Sequence, residues 1–245
     1  FDTGGIVDLI EPEEIVADGA PNAGVIPTRH LPFVTAYGAR LKKRGPAPAI
    51  IVIHENRGLN AHIRDIARRI ALEGFHAFAV DMLSPYGGTP DDEDKARELI
   101  GKLNPDKTAA KLAAIAKHLA LLKTHQRHVG AVGFCWGGGM VNHLAAASDA
   151  LEAGVCYYGR SPSPEEAATI RARMMMHYAG NDTRINEGVP AYEAALKAAK
   201  VDYQAYFYEG VEHAFNNDTN AARYNAEAAA LAWGRTIGFF KETLQ

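Results

Sequence analysis

The six residues Ala49-Ile50-Ile51-Val52-Ile53-His54 form a β-branched run with no polar alternation, the pattern of a strand buried on both faces of a parallel sheet. Across Asn60–Glu73 the period changes. Ile63, Ile66, Ala67, Ile70 and Ala71 recur at helical spacing, and Gly74 follows where a helix C-cap belongs. The alternation then repeats, with strands predicted over Phe75–Val80, Val129–Gly133, Ala153–Tyr158, Arg173–Tyr178 and Tyr203–Tyr208. Helices are predicted from about Asp91, over Asp106–Lys123 (entered through Asn104-Pro105), Trp136–Ala147 and Glu187–Lys200, and as a long closing element over Ala221–Glu242. Phe33–Leu41 reads as an outer strand. Strands alternating with helices predict an α/β architecture, a mostly parallel sheet covered by helices on both faces and joined by right-handed crossovers. Residues 1–32 are acidic, Pro- and Gly-bearing and without sustained period, and read as an N-terminal arm of irregular structure. No internal repeat or low-complexity linker interrupts residues 33–245, which read as a single domain.

The 245 residues are 47% hydrophobic, enough to bury a sizeable core, and the formal net charge of −3 gives no general pull toward nucleic acid or an anionic membrane. Small-molecule chemistry is the better expectation. The two cysteines, Cys135 and Cys156, have unlike surroundings and no CxxC spacing, which argues against a disulfide scaffold or a zinc site. No apolar run approaches the ~18 residues of a membrane span. The chain starts at Phe1 without a basic-then-apolar leader. The pattern favours the cytoplasm, with export after removal of an upstream segment as the alternative, and a monomer or homodimer.

The sharpest chemical signal is Gly133-Phe134-Cys135-Trp136-Gly137, between an apolar strand and a helix. It fits the nucleophile-elbow pattern G-x-S-x-G with cysteine in the serine position. The turn sets Cys135 at a helix N-terminus, where backbone N–H groups favour the reactive thiolate. A thiol nucleophile needs a base, and the base needs an orienting acid. In such folds these follow the nucleophile in the order acid, then histidine, on loops after later strands. Asp182 follows the strand at Arg173–Tyr178, and His213 follows the strand at Tyr203–Tyr208. Alone, Asp182 could be a helix cap and His213 one of ten ordinary histidines; their order and loop placement make them a triad with Cys135.

His54-Glu55-Asn56-Arg57-Gly58-Leu59-Asn60, Gly133-Phe134-Cys135-Trp136-Gly137-Gly138-Gly139, Asp182 and His213-Ala214-Phe215 together resemble the dienelactone hydrolase (carboxymethylenebutenolidase) family of cysteine α/β-hydrolases. The resemblance implies the α/β-hydrolase fold and hydrolysis of a carboxylic ester or lactone through a cysteine acyl-enzyme. It also implies that Glu55 holds the resting thiol and that the backbone N–H groups of Asn56 and Trp136 form the oxyanion hole. Without it, Glu55 could equally cap a helix or pair with Arg57. Members that cleave dienelactone are expected to grip the substrate carboxylate with arginines in two loops, which here read Met82–Gly88 and Phe215–Asp218 and contain none. Arg57, Arg160 and Arg223 are the substitutes in view, and the true substrate is expected to be a neutral ester rather than dienelactone.

Other chemistry falls away. Gly137-Gly138-Gly139 lacks the Lys-Ser/Thr of a phosphate loop, and no third ligand joins His125 and His128, so neither cofactor nor metal is expected. Three other functions remain open: acyl transfer or peptide cleavage on the same triad, and a non-catalytic ligand receptor on the same fold.

Overall fold

The computed structural model describes residues 23–31, 34–41 and 45–245. Eight strands form one sheet in the order β1-β2-β4-β3-β5-β6-β7-β8. The strands are β1 (Ala23–Leu31), β2 (Val34–Leu41), β3 (Ala49–Ile53), β4 (His76–Asp81), β5 (Val129–Phe134), β6 (Ala153–Tyr157), β7 (Arg173–Ala179) and β8 (Tyr203–Tyr208). Pairing from β4 through β8 is parallel, whereas β1 with β2 and β2 with β4 are antiparallel. The helices are α1 (Ala61–Leu72), α2 (Glu93–Gly101), α3 (Pro105–Leu121), α4 (Trp136–Ala147), α5 (Pro164–Ala167), α6 (Thr183–Asn186), α7 (Val189–Ala198) and α8 (Ala226–Leu244).

The continuous apolar run of β3 is explained by its central place, with every residue fully buried. Its side chains alternate between two cores. Ile51 and Ile53 pack with Leu112 and Ile115 of α3, Leu144 of α4 and Leu196 of α7, while Ile50 and Val52 pack with Ile63 and Ile66 of α1 and Phe240 of α8. Each such aliphatic side chain contributes ~1.5–3 kcal/mol on burial. Helices thus cover both faces, as the sequence pattern requires.

Three boundaries differ from expectation. Within the arm predicted over residues 1–32, Ala23–Leu31 forms the edge strand β1, paired along β2. Its sequence carries no alternation to mark it as a strand, and the structure defines it by backbone pairing to β2. Residues 1–22 lie outside the described residues. The closing helix starts at Ala226 rather than Ala221, since Asn225 caps it by accepting from Ala228 N–H at 3.0 Å. The helix expected from Glu187 starts at Val189, and the single-turn helices α5 and α6 precede it unpredicted.

Candidate active site

The carboxyl ends of the parallel strands gather the candidate residues. Cys135 joins β5 to α4 with φ 54°, a left-handed conformation that a non-glycine residue adopts only under surrounding constraint. Its N–H donates to Tyr157 O at 3.0 Å. The flanking glycines are required by close approach: a Cβ at Gly133 would strike the Gly137 carbonyl, and one at Gly137 would strike the carbonyls of Ile53 and His54. The elbow is therefore wedged against the end of β3, which carries Glu55 and Asn56.

Asp182 does two jobs at once. Its Oδ1 accepts from Ile185 N–H at 3.4 Å as the cap of α6, and its Oδ2 accepts from His213 Nδ1. The cap and the pairing with His213 thus coexist in one side chain. The two loops are bound to each other as well: Gly180 N–H donates to Tyr208 O at 2.7 Å, Asn181 N–H to Val211 O at 3.1 Å, and Asn181 Nδ2 to Glu212 Oε1 at 2.8 Å. Burial lowers the His213 pKa and outweighs the Asp182 carboxylate, which raises it, so the imidazole rests neutral.

Glu55 is buried beside them. Its Oε2 accepts from Asn217 Nδ2 at 2.7 Å and its Oε1 from the Tyr158 hydroxyl at 3.5 Å. Arg57 pairs with Glu93 rather than with Glu55. Desolvation raises the Glu55 pKa, partly offset by Asn217 and Tyr158. The Cys135 thiol is pushed up to about 11, first by burial and then by the Glu55 charge; the Trp136 N–H and Arg184 act in the opposite sense. The helix N-terminus does favour the thiolate as expected, but burial and Glu55 outweigh it. Among the described residues, no hydrogen bond joins Cys135 to His213; catalytic contacts often tighten only when substrate binds.

Cys135, His213, Asn56 and Trp136 all line one cavity of about 620 Å³. Ile100 of α2, Leu103, Met140 of α4 and Ile185 of α6 supply apolar wall, and Arg97, Arg160 and Arg184 stand exposed along it. Among the described residues the wall contains no carboxylate, and neither loop expected to carry carboxylate-binding arginines contributes to it. Of the three substitutes in view, only Arg160 reaches the wall. Arg97 and Arg184 escaped sequence reasoning because each sits on a helix whose position relative to Cys135 depends on the fold. Tyr158 and Asn217 escaped it too. Tyr158, at φ 38° just past the end of β6, packs its ring 4.9 Å from that of His213 as well as reaching Glu55; left-handed backbone in a buried tyrosine has no sequence signature. His125 and His128 do not converge: His125 contacts His76 at 3.1 Å, and His128 contacts Glu152 at 2.9 Å.

The sequence model of the Dienelactone hydrolase family matches residues 34–244. The "Putative carboxymethylenebutenolidase" of Escherichia coli (strain K12) is 34% identical over 222 residues, covering 84% of this chain and 82% of its own. The crystal structure of the "Putative Dienelactone Hydrolase" from Klebsiella pneumoniae subsp. pneumoniae superposes with a TM-score of 0.77 at 30% identity, covering 90% of this chain and 98% of that one. A dienelactone hydrolase-like promiscuous phosphotriesterase, P91 from metagenomic libraries, superposes with a TM-score of 0.74 at 26% identity over 86% of this chain and 93% of its own. Strand order and these likenesses agree on the α/β-hydrolase fold.

Proposed function

Since the chain belongs to the dienelactone hydrolase family and is a hydrolase of that family, we propose that it cleaves a carboxylic ester or lactone through a thioester on Cys135. One observation carries this reading: a thiol on a left-handed elbow opens into a cavity that it shares with an imidazole held by a buried carboxylate. Cys135 Sγ attacks the ester carbonyl while its proton passes to His213. The oxyanion is received by the N–H groups of Asn56 and Trp136, and His213 protonates the leaving alkoxide. Water, deprotonated by His213, then attacks the thioester and releases the acid, restoring the thiol. Asp182 keeps His213 in the Nδ1–H tautomer and stabilises the imidazolium as it forms.

In the resting state Glu55 disfavours the thiolate, so that the nucleophile is protected until substrate enters. Arg160 and Arg184 on the cavity wall support an acidic group on the substrate, held away from the two loops in which dienelactone-cleaving members were expected to carry arginines; Arg97 is paired with Asp94 at 3.0 Å. The charge of Arg160 and Arg184 favours an ester carrying an acidic group beside the neutral ester expected from the sequence.

The test is a panel of aryl esters, lactones and peptides on the wild type and Cys135→Ala, with product analysis in the presence of alcohol and amine acceptors. Ester turnover lost in Cys135→Ala, with acid as the product, supports hydrolysis; ester or amide products would make the protein an acyltransferase. Peptide cleavage without ester cleavage, or turnover that survives in Cys135→Ala, would overturn the proposal.

A further inference from the structure

His54 is fully buried at the end of β3, and neither of its ring nitrogens is free. Met82 N–H donates to Nε2 at 3.2 Å, and an amide N–H can only donate, so Nε2 is the acceptor. The proton must then sit on Nδ1, which lies 2.7 Å from Glu55 O and donates to it. Burial lowers the ring's pKa, consistent with a single neutral tautomer.

The carbonyl that accepts this bond belongs to the peptide linking Glu55 to Asn56. That peptide is trans and planar, so its N–H, contributed by Asn56, points opposite to its C=O. Holding Glu55 O against the imidazole therefore turns Asn56 N–H away from the ring. Asn56 lines the cavity beside Cys135. The same ring stacks on Trp136, with centroids 5.3 Å apart and planes 15° from parallel, so it touches the second donor residue of the oxyanion pair as well. Its other nitrogen ties the assembly to the end of β4 through Met82.

We infer that His54 is a positioning residue for the oxyanion hole: its imidazole fixes the Glu55–Asn56 peptide so that Asn56 N–H faces the reacting carbonyl, and buttresses Trp136 across from it. This rests on the thiol mechanism proposed above. The alternative is a buried histidine that only stabilises the strand end.

Two reactions of the same thiol separate these roles. Acylation by an ester builds an oxyanion, whereas alkylation by iodoacetamide displaces iodide at a saturated carbon and builds none. His54→Leu removes the donor to Glu55 O; His54→Asn keeps an N–H close to where Nδ1 stands. The expected result is a fall of ~10- to 100-fold in kcat for His54→Leu with KM little changed, since a misaimed donor forfeits much of what a deleted one would. His54→Asn should recover most of that loss, and iodoacetamide inactivation of both variants, compared across pH so that any shift of the thiol pKa is separated out, should change far less than ester turnover does in His54→Leu. Equal losses of ester turnover and alkylation, equal losses in the Leu and Asn variants, or no loss at all would each overturn the inference. Ester turnover surviving in Cys135→Ala would remove the thiol mechanism and this inference with it, a failure identified without reference to the His54 variants.

Discussion

Glu55→Gln alters one charge and little else. Glutamine keeps an oxygen to accept from Asn217 Nδ2 and an amide to meet the Tyr158 hydroxyl, so both contacts survive in kind. The Cys135 thiol stands at about 11, two units above its ordinary 9.0. Two units correspond to ~2.7 kcal/mol against the thiolate, leaving on the order of one thiol in a thousand ionised at pH 8. Burial is the larger cause and remains in the variant; the Glu55 charge is second and is removed. The sign is fixed: loss of a neighbouring negative charge lowers the thiol pKa and raises the thiolate fraction at any pH below it. An effect of up to one unit gives alkylation on the order of 10-fold faster at pH 7–8. The assay is inactivation by iodoacetamide across pH 6–10 without substrate, which reports the resting thiol directly. Each log-rate profile should rise with unit slope, with the Glu55→Gln line displaced to lower pH. Superimposable profiles would refute the protective role of Glu55 and leave the triad untouched.

Asp182→Asn should lower kcat by ~10⁴-fold by favouring the wrong His213 tautomer, measurable on any ester the wild type cleaves, with KM little altered. Arg160→Gln should cost ~10- to 100-fold in kcat/KM for an ester carrying a carboxylate, the worth of one charge-assisted contact, and leave a neutral ester of equal size unchanged; equal losses on both would remove Arg160 from recognition. Asn225→Ala should lower stability by ~1 kcal/mol in urea unfolding through loss of the α8 cap, with ester turnover unaffected. Burial, aided by Arg235, holds His177 neutral with its pKa down to about 3. The unfolded chain therefore takes up a proton on this residue that the folded one refuses, and stability falls as pH drops from about 6.5 toward 3. His177→Gln should show a shallower decline of Tm across that window; parallel Tm curves would assign the acid sensitivity elsewhere.

What the sequence revealed depended on whether a residue's role was local. β3 announced itself because burial on both faces leaves no polar position in it, and α1 because its buried face repeats at helical spacing. The elbow was legible for the same reason: Gly133 and Gly137 are demanded by contacts that any strand–turn–helix of this kind makes. Asp182 and His213 were found through chain order, which stands in for the parallel pairing of β7 and β8. Tyr158 and Asn217 gave no such clue. Each meets Glu55 from more than 100 residues away along the chain, so the contact exists only once the sheet has formed. β1 was missed because its sequence lacks a strand's alternation; its main-chain pairing to β2 is visible only in the structure.

The α2 side of the cavity is built differently from the rest. Ala96 and Ile100 of α2 pack with Leu83 in a satellite cluster of three buried residues, apart from the two large cores that hold the sheet. That helix also presents Arg97 to the cavity. Leu99 of α2, Leu103 and Trp136 pack against that cluster, so the helix borders the residue that follows Cys135 while its own buried residues stand outside the two large cores. Substitutions at the exposed positions of α2, Arg97 among them, can thus alter the cavity wall at small risk to the cores, whereas those at Ala96 and Ile100 reach Trp136 through their cluster. Libraries confined to the exposed residues of α2 are accordingly where altered ester preferences should be sought under the proposed mechanism, with folded protein as the common outcome.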